Sequence, residues 1–332
     1  MTIPDYMLAI EITAPGGPDV LQATTVPTPH PNPGEVLIAV KAAGVNGPDV
    51  AQRKGNYAPP PGASPLPGLE VSGTVVALGE DETRLAIGDE VVALCNGGGY
   101  AHYVAVPVGQ VLPKPAGWSH IQAATLPETF FTIQQTLVER ARLAAGQTVL
   151  VHGGSGGIGA TAIQMCRLYG AMAIATVSSP EKAAYARQLG AAHTILYPSE
   201  DFVERTRALT DGRGADIIVD LIGGSYANRN FEAAAYGGHI LQLAIQGGAK
   251  AEVNLGLLLM KALTLSGSTL RPQPPATKAR LAQGLKSTVW PGIETGTIQP
   301  PRIRTFALEN AADAHRAMAL PDHYGKIVLT VS

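Results

Sequence analysis

The chain has 332 residues, 45% hydrophobic and 15% charged, a length and composition that suit two domains with buried cores and exclude an intrinsically disordered chain. Its 24 Lys and Arg against 26 Asp and Glu leave a formal charge of −2, with no basic block of the kind that engages nucleic acid or an anionic membrane. Cys95 and Cys166 are its only two cysteines, too few for a disulfide framework or a four-thiolate zinc site. Both are expected to be small buried hydrophobes. No apolar run reaches about 18 residues, and M-T-I-P-D-Y lacks the basic start and apolar core of a signal peptide, so a cytoplasmic location is expected.

Short alternating or β-branched runs at 7–12, 35–42, 69–78, 89–94 and 100–106, separated by turn signals such as P-H-P-N-P-G and L-G-E-D-E-T, predict a compact, mostly antiparallel β domain. One helix, near 48–54, interrupts it. After Trp118 the periodicity turns helical at 121–126 and 129–142. Strand and helix then alternate: strands at 148–151, 172–176, 194–196, 216–221, 239–243 and 264–266, helices at 157–169, 181–189, 201–209 and 228–235. That repetition predicts a doubly wound α/β fold with helices on both faces of a parallel sheet. The run R-P-Q-P-P after Arg271 stops regular structure and precedes a helix near 277–289. The segments 303–306, 310–318 and 326–331 read as short β-rich units that rejoin the first domain. The expected division is 1–125, 126–271 for the nucleotide domain, and 272–332 for the return.

Within that pattern, residues 149–159 read V-L-V-H-G-G-S-G-G-I-G and lead into an apolar helix. Strand, glycine turn and helix in this order are the context in which G-x-G-x-x-G signifies a dinucleotide site. Gly154 is expected to make the tight turn, Gly156 to let backbone approach a pyrophosphate, and Gly159 to pack helix on strand. The helix N-terminus offers free N–H groups to phosphate. About 150 residues precede the loop, room for a domain of their own.

The next strand ends in A-T-V-S-S-P-E-K, where the NAD form of this fold carries a carboxylate for the ribose 2′-hydroxyl. Thr176 to Ser179 contain none. Glu181 follows Pro180 at a helix start, where an acid serves the macrodipole. Lys182, with the hydroxyls of Ser178 and Ser179, is placed to meet a 2′-phosphate; the alternatives are a solvated Lys182 and a Ser179 that merely caps the helix. NADPH is the predicted cofactor.

Several longer runs carry a family resemblance: N-G-P-D-V-A-Q-R-K-G-N-Y-A-P-P-P-G-A-S (46–64), L-P-G-L-E-V-S-G (66–73), L-C-N-G-G-G-Y-A-H-Y-V (94–104), A-A-T-L-P-E-T-F-F-T (123–132), the glycine loop, and G-K-I-V-L (325–329). With them the chain resembles the medium-chain dehydrogenase/reductase superfamily, and within it the zeta-crystallin-like quinone oxidoreductases, the p53-inducible subgroup nearest in pattern. The resemblance implies a GroES-like β-rich domain plus a doubly wound Rossmann domain, with the active site in the cleft between them. It places Asn46 and Thr132 near the nicotinamide, and Lys182 and Tyr197 at the 2′-phosphate. Gly154, Ser155, Gly156, Gly157, Ile158 and Gly159 line the pyrophosphate. Leu243, Ala244, Ile245, Ser268, Thr269 and Leu270 bring backbone to the nicotinamide, and Tyr57 lies by the substrate. Each has a plainer alternative: Asn46 as a helix cap, Tyr57 as a loop aromatic, Tyr197 as packing.

Zinc-dependent members carry G-H-E and cysteine ligands, whereas this chain has Gly68-Leu69-Glu70 and no thiolate cluster, so no catalytic metal is expected. The implied activity is zinc-independent reduction of quinone-like acceptors by hydride from NADPH. Tyr57, or a water held near Asn46, is the candidate oxyanion donor, with proton delivery from solvent. The alternatives are an NADPH-dependent enone or 2-alkenal reductase using the same site, and an NADPH-binding structural protein, as some relatives are in lens. A relative is reported to bind RNA, but the near-neutral charge argues against a nucleic-acid partner here. The expected partners are a small-molecule quinone or enone and a second copy of the chain, paired through a Rossmann edge strand at 263–268.

Overall fold

Alternation of apolar and polar residues puts one face of each N-terminal strand inward. β1 (Tyr6–Ile12) pairs antiparallel with β2 (Leu21–Pro27). β3 (Glu35–Val45), β4 (Glu70–Leu78), β5 (Glu90–Leu94), β6 (Tyr103–Pro107) and β7 (Val111–Pro113) build an antiparallel sheet, and α1 (Gly47–Arg53) leaves directly from β3. α2 (His120–Ala123) and α3 (Pro127–Ile133) follow, and Gln134–Arg140 continues α3 as wider π-helical turns where a single α-helix was expected.

The second sheet is parallel throughout, in the order β10-β9-β8-β11-β12-β13. Its strands are β8 (Thr148–His152), β9 (Met172–Val177), β10 (His193–Leu196), β11 (Ala215–Asp220), β12 (Ala234–Gln242) and β13 (Thr264–Gly267). α4 (Gly157–Tyr169), α5 (Pro180–Gln188), α6 (Phe202–Ala208), α7 (Tyr226–Ala233) and α8 (Leu255–Met260) connect them. Every residue of β8 is buried, as a strand covered on both faces requires. Leu150, Ile174, Ile195, Ile218 and Ile240 form the core with Phe202 and Phe231. Sequential strands run outward from β8 on one side and from β11 on the other, so the order switches between these two. Ligands of open α/β sheets bind beyond the carboxyl ends of the strands at such a switch.

α9 (Pro275–Glu294), β14 (Ile303–Ala307), α10 (Ala311–Met318) and β15 (Lys326–Thr330) complete the chain. β15 pairs antiparallel with β3, which brings the tail into the first sheet, and β14 pairs parallel with β15. Residues 310–318, expected as β-rich, are helical instead. Ala311, Ala314, His315 and Ala317 are buried at helical spacing, so this stretch hides one stripe of a helix rather than alternate residues of a strand.

The computed structural model describes residues 2–80 and 82–332. It divides into two units: Met1–Phe131 with Arg271–Pro291 and Pro300–Ser332, and Thr132–Leu270 with Gly292–Gln299. The first is the GroES-like β-rich domain, the second the Rossmann domain. Among the described residues no helix is long and apolar enough to cross a membrane.

Candidate functional site

In the Rossmann unit, β8 stops at His152 and α4 begins at Gly157, and each glycine between has a separate physical reason. Gly153, with φ of +69°, takes the left-handed turn that the sequence assigned to Gly154. A Cβ on Gly154 would lie 2.6 Å from Cβ of Ala175 on β9, and one on Gly159 only 2.2 Å from the Gly153 carbonyl oxygen. Those two glycines are required by close packing. At Gly156 the nearest atom to a Cβ would be the Gly153 carbonyl oxygen at 3.7 Å, an ordinary contact, so packing within the chain does not require a glycine there. The first N–H groups of α4 have no intrahelical acceptor and sit at the positive end of the helix dipole. Gly154, Ser155, Gly156, Gly157, Ile158 and Gly159 thus lie together on the turn between β8 and α4 and the first residues of that helix.

Half-buried Ser178 and Ser179 follow β9. Ser179 caps α5: its hydroxyl accepts the Lys182 N–H at 3.3 Å, and the Glu181 carboxylate, hydrogen-bonded to that serine, is held below the usual range. Ser179 is thus the N-cap of α5, and Glu181 is engaged locally. Lys182 is half-buried in the first turn of α5. Tyr197, 46% exposed, donates its N–H to the Val177 carbonyl at 3.2 Å, because β10 runs parallel to β9 with Leu196 beside Val177. The ends of β9 and β10 thereby form one rim, and no carboxylate ends β9.

At the other end, Leu243 donates its N–H to the Asp220 carbonyl at 2.8 Å, and the Ala244 carbonyl accepts from Gln242 Nε2 at 2.6 Å, while Ile245 is exposed. Gln242 and Gly267 are neighbours across β12 and β13, so Leu243–Ile245 and Ser268–Leu270 leave adjacent strands in the same direction. The Ser268 hydroxyl is buried without a hydrogen-bond partner. Thr132, half-buried on α3, gives its carbonyl to the Thr136 hydroxyl at 2.7 Å.

The GroES-like unit contains a buried ionic cluster around Glu70, the first residue of β4. Its Oε1 accepts from Asn46 Nδ2 at 2.9 Å and from Lys326 Nζ at 2.5 Å, and its Oε2 accepts the Glu128 N–H at 2.8 Å. Lys326 also donates to Asn46 Oδ1 at 2.6 Å. Because an ammonium can only donate, the Asn46 amide has a single orientation. Gly44 makes room, since a Cβ there would fall 1.9 Å from Glu70 Oε1. Asp49 accepts the N–H groups of Asn46 at 2.9 Å and Gly68 at 3.0 Å, joining α1 to the approach to β4.

Burial, reinforced by Glu70, pushes the Asp49 carboxyl up to about 6, while two backbone N–H groups oppose it. Burial and the carboxylates of Glu70 and Asp49 push Glu128 up to about 8. Tyr100 bridges Asp49 Oδ2 at 3.4 Å and His315 Nε2 at 3.2 Å, and Arg53 Nη1 lies 3.3 Å from His315 Nδ1. A guanidinium only donates, so His315 accepts at Nδ1 and carries its proton on Nε2. Burial and Arg53 hold its pKa down at about 3.

Tyr57 belongs to a different network. Its half-buried ring lies 5.8 Å from the Arg271 guanidinium carbon, and burial raises its hydroxyl pKa. Arg271 donates to the Asn96 carbonyl and to Gln52 Oε1 at 2.7 Å. Lys278 donates to Asn96 Oδ1 at 2.5 Å, and burial lowers it to about 8. The sequence-based reading singled out Asn46 and Tyr57 but missed Asp49, Glu128 and Lys326. All three lie inside the quoted motifs, in N-G-P-D, L-P-E and G-K-I-V-L, so a charged residue inside each motif was the available signal.

A tetrahedral catalytic zinc needs three protein ligands. Here Leu69 is buried and apolar, the Cys95 thiol is pushed up by burial, and the Lys326 ammonium already neutralises Glu70. Among the described residues no group of three His, Cys, Asp or Glu could hold a metal ion. These residues do not fit a zinc site.

Residues 32–116 match the family described as alcohol dehydrogenase GroES-like domain, and residues 157–285 match the family described as zinc-binding dehydrogenase. A quinone oxidoreductase of Pseudomonas aeruginosa is 34% identical over 323 residues, covering 96% of this chain and 98% of that protein. The Escherichia coli quinone oxidoreductase solved in complex with NADPH is 28% identical, with a TM-score of 0.86 over 97% of this chain and 99% of that one. The JamJ enoyl reductase is 26% identical, with a TM-score of 0.87 over 98% and 99%. The chain also matches a phenolphthiocerol/phthiocerol polyketide synthase subunit of Mycobacterium tuberculosis at 30% identity, spanning 15% of its length. With a near-full-length relative at this identity and both of its domains matched in order, the chain belongs to the medium-chain dehydrogenase/reductase superfamily.

Proposed function

We propose that the protein is a zinc-independent oxidoreductase that uses NADPH to reduce quinone-like acceptors. The observation that carries the cofactor half is a glycine at Gly156 that internal packing does not require, at the N-terminus of α4 and beside a β9 that ends without a carboxylate. When bound, NADPH supplies a hydride. The chain's part is to bind and orient: the Gly154–Gly159 turn would hold the pyrophosphate, while Ser178, Lys182 and Tyr197 would meet the 2′-phosphate. The backbone of Leu243–Ile245 and Ser268–Leu270 would hold the carboxamide, with Thr132 beside it. In the GroES-like unit, the Tyr57 hydroxyl, or a water held near Asn46, would steady the acceptor's developing oxyanion. Leu69 and the Lys326–Glu70 pair support the zinc-independent reading, since they take the positions and the countercharge that a metal would need.

The test follows NADPH oxidation by the purified protein with 1,2-naphthoquinone, 1,4-benzoquinone and an enone. Turnover of the quinones, unchanged by chelator, is expected. Tight NADPH binding with no turnover of any acceptor would leave only a binding role. Faster turnover of the enone would favour 2-alkenal reduction, a second reading supported by the likeness to JamJ enoyl reductase.

We also propose a homodimer formed through β13. This strand is the sheet edge, Leu265 on it is 50% exposed, and Leu255, Leu259 and Met260 of α8 are exposed. Light scattering is expected to give twice the chain mass, and Leu265→Asp to give the monomer.

A further inference from the structure

Behind the glycine turn, entirely inside the Rossmann unit, lies a row of buried polar side chains to which the proposed chemistry gives no part. Asp220, at the end of β11, accepts the N–H groups of Ile222 at 2.6 Å and Gly223 at 3.1 Å through Oδ1. Its Oδ2 accepts from Asn230 Nδ2 on α7 at 2.9 Å. Asn230 Oδ1 lies 2.8 Å from His152 Nε2, and His152 Nδ1 lies 3.2 Å from the Thr176 hydroxyl. The Gly153 N–H donates to that same hydroxyl at 3.3 Å, and the next N–H, of Gly154, to the Thr176 carbonyl at 3.0 Å.

The direction of every bond follows from its ends. A carboxylate only accepts, so Asn230 turns its NH2 to Asp220 and its oxygen to His152. His152 must then carry its proton on Nε2 and accept at Nδ1, which makes the Thr176 hydroxyl the donor to it. Burial lowers the pKa of this imidazole, in keeping with the neutral form. The ring is further fixed edge-on to Phe202 and Tyr226, with centroids 4.8 and 4.9 Å away.

The two ends of the row are the turns that follow the carboxyl ends of β8 and β11, the two strands at which the order of the sheet switches. One is Gly153 and Gly154, which open the pyrophosphate turn. The other is Ile222–Gly224, whose left-handed glycines press on the segment after Ile245: a Cβ on Gly224 would lie 2.5 Å from the Gly247 carbonyl oxygen, and the Gly247 N–H donates to the Ile222 carbonyl at 2.7 Å.

We propose that Thr176, His152, Asn230 and Asp220 are positioning residues that lock the pyrophosphate turn in register with the Ile222–Gly224 turn, so that the spacing of the two turns, and with it cofactor affinity, is set by one continuous chain of hydrogen bonds. The affinity part rests on the NADPH reading; the coupling of the two turns does not. The test uses Thr176→Val, Asn230→Leu and the double variant, with amide hydrogen exchange on the cofactor-free protein and NADPH titration by fluorescence.

Each single substitution is expected to speed exchange about tenfold in both turns, the distant one included. Each should weaken NADPH binding about tenfold while leaving kcat at saturating cofactor within about twofold. The double variant should be no worse than either single one, because a chain is broken once. Faster exchange confined to the substituted end, or additive losses, would overturn the proposal. A wild-type protein that fails to bind NADPH would sink the functional reading, and the exchange coupling would then decide the positioning chain alone.

Asn230→Asp guards against misfolded variants. Its new carboxyl would face Asp220 of β11, His152 of β8 and Arg229 of its own helix, with Tyr226 alongside. Protonated, it reproduces the donor and acceptor of the amide; ionised, it opposes Asp220. Wild-type exchange at acid pH, with both turns loosening as pH rises, is expected. A pH-independent Asn230→Asp protein would count against the chain.

Discussion

Between Gly153 and Gly159 the groups that would meet a phosphate all come from one short run of main chain, whereas Glu70 gathers Asn46, Glu128 and Lys326, the last of them 256 positions away. The cradle needs the absence of side chains; the cluster needs three particular ones, Glu70, Asn46 and Lys326, and the main-chain N–H of Glu128. The two regions also hold charge differently. The cradle carries a partial positive helix terminus at half-buried Gly156–Ile158, while the cluster neutralises Glu70 internally with an ammonium whose side chain is 4% exposed. A binding surface is thus kept open by local geometry, and an orienting device is closed by distant partners.

Lys326→Met is the severest way to break that contrast. It strands Glu70 as a buried charge, and a loss of about 3–5 kcal/mol in denaturant unfolding is expected. A loss below about 1 kcal/mol would show that the cluster adapts as a surface pair does. Next come the cradle glycines. Gly159→Ala should cost about 1–3 kcal/mol, since its Cβ overlaps the Gly153 carbonyl. Gly156→Ala should leave the melting temperature nearly unchanged, yet weaken NADPH binding about tenfold or more. Equal effects of these two alanines would erase the division between packing and approach glycines.

Lys182→Ala is expected to weaken NADPH binding about tenfold and NADH binding hardly at all, measured by paired titrations. Equal losses would move the 2′-phosphate elsewhere. The smallest effect concerns pH. Glu128 is raised to about 8 in the folded protein, so the stability it contributes is complete below the unfolded carboxyl range near 4.5 and is lost as pH rises through 8. Glu128→Gln should therefore melt about 2–4 °C above wild type beyond pH 8 and converge with it below pH 5. Parallel curves at all pH values would mean that Glu128 is not the titrating group. His315, depressed to about 3, works oppositely: its contribution is present above about 6.5 and is lost toward acid.

The parallel-sheet half was legible almost element by element, because buried strands and amphipathic helices announce themselves through periodicity. α4 was expected at 157–169 and spans Gly157–Tyr169. The misreadings occurred where the pattern is weak. Residues 310–318 offer mostly alanine to the core, β2 has one fully buried residue, Leu21, and α8 has none. At the cradle the spacing of glycines was readable, but Gly153 rather than Gly154 makes the turn, a matter of φ that letters do not carry.

Composition, periodicity and the glycine run were enough by themselves to determine a β-rich domain ahead of a Rossmann sheet and a dinucleotide turn after its first strand, because these depend on neighbours in the chain. Only the tertiary structure decided that Lys326 closes on Glu70 and Asn46, that Asp49 pins Gly68, and that Thr176, His152, Asn230 and Asp220 run in one line behind the cradle. Hydrogen-bond direction and the loss of water around a charge depend on atoms brought together from distant strands, and that proximity exists only once both sheets have formed.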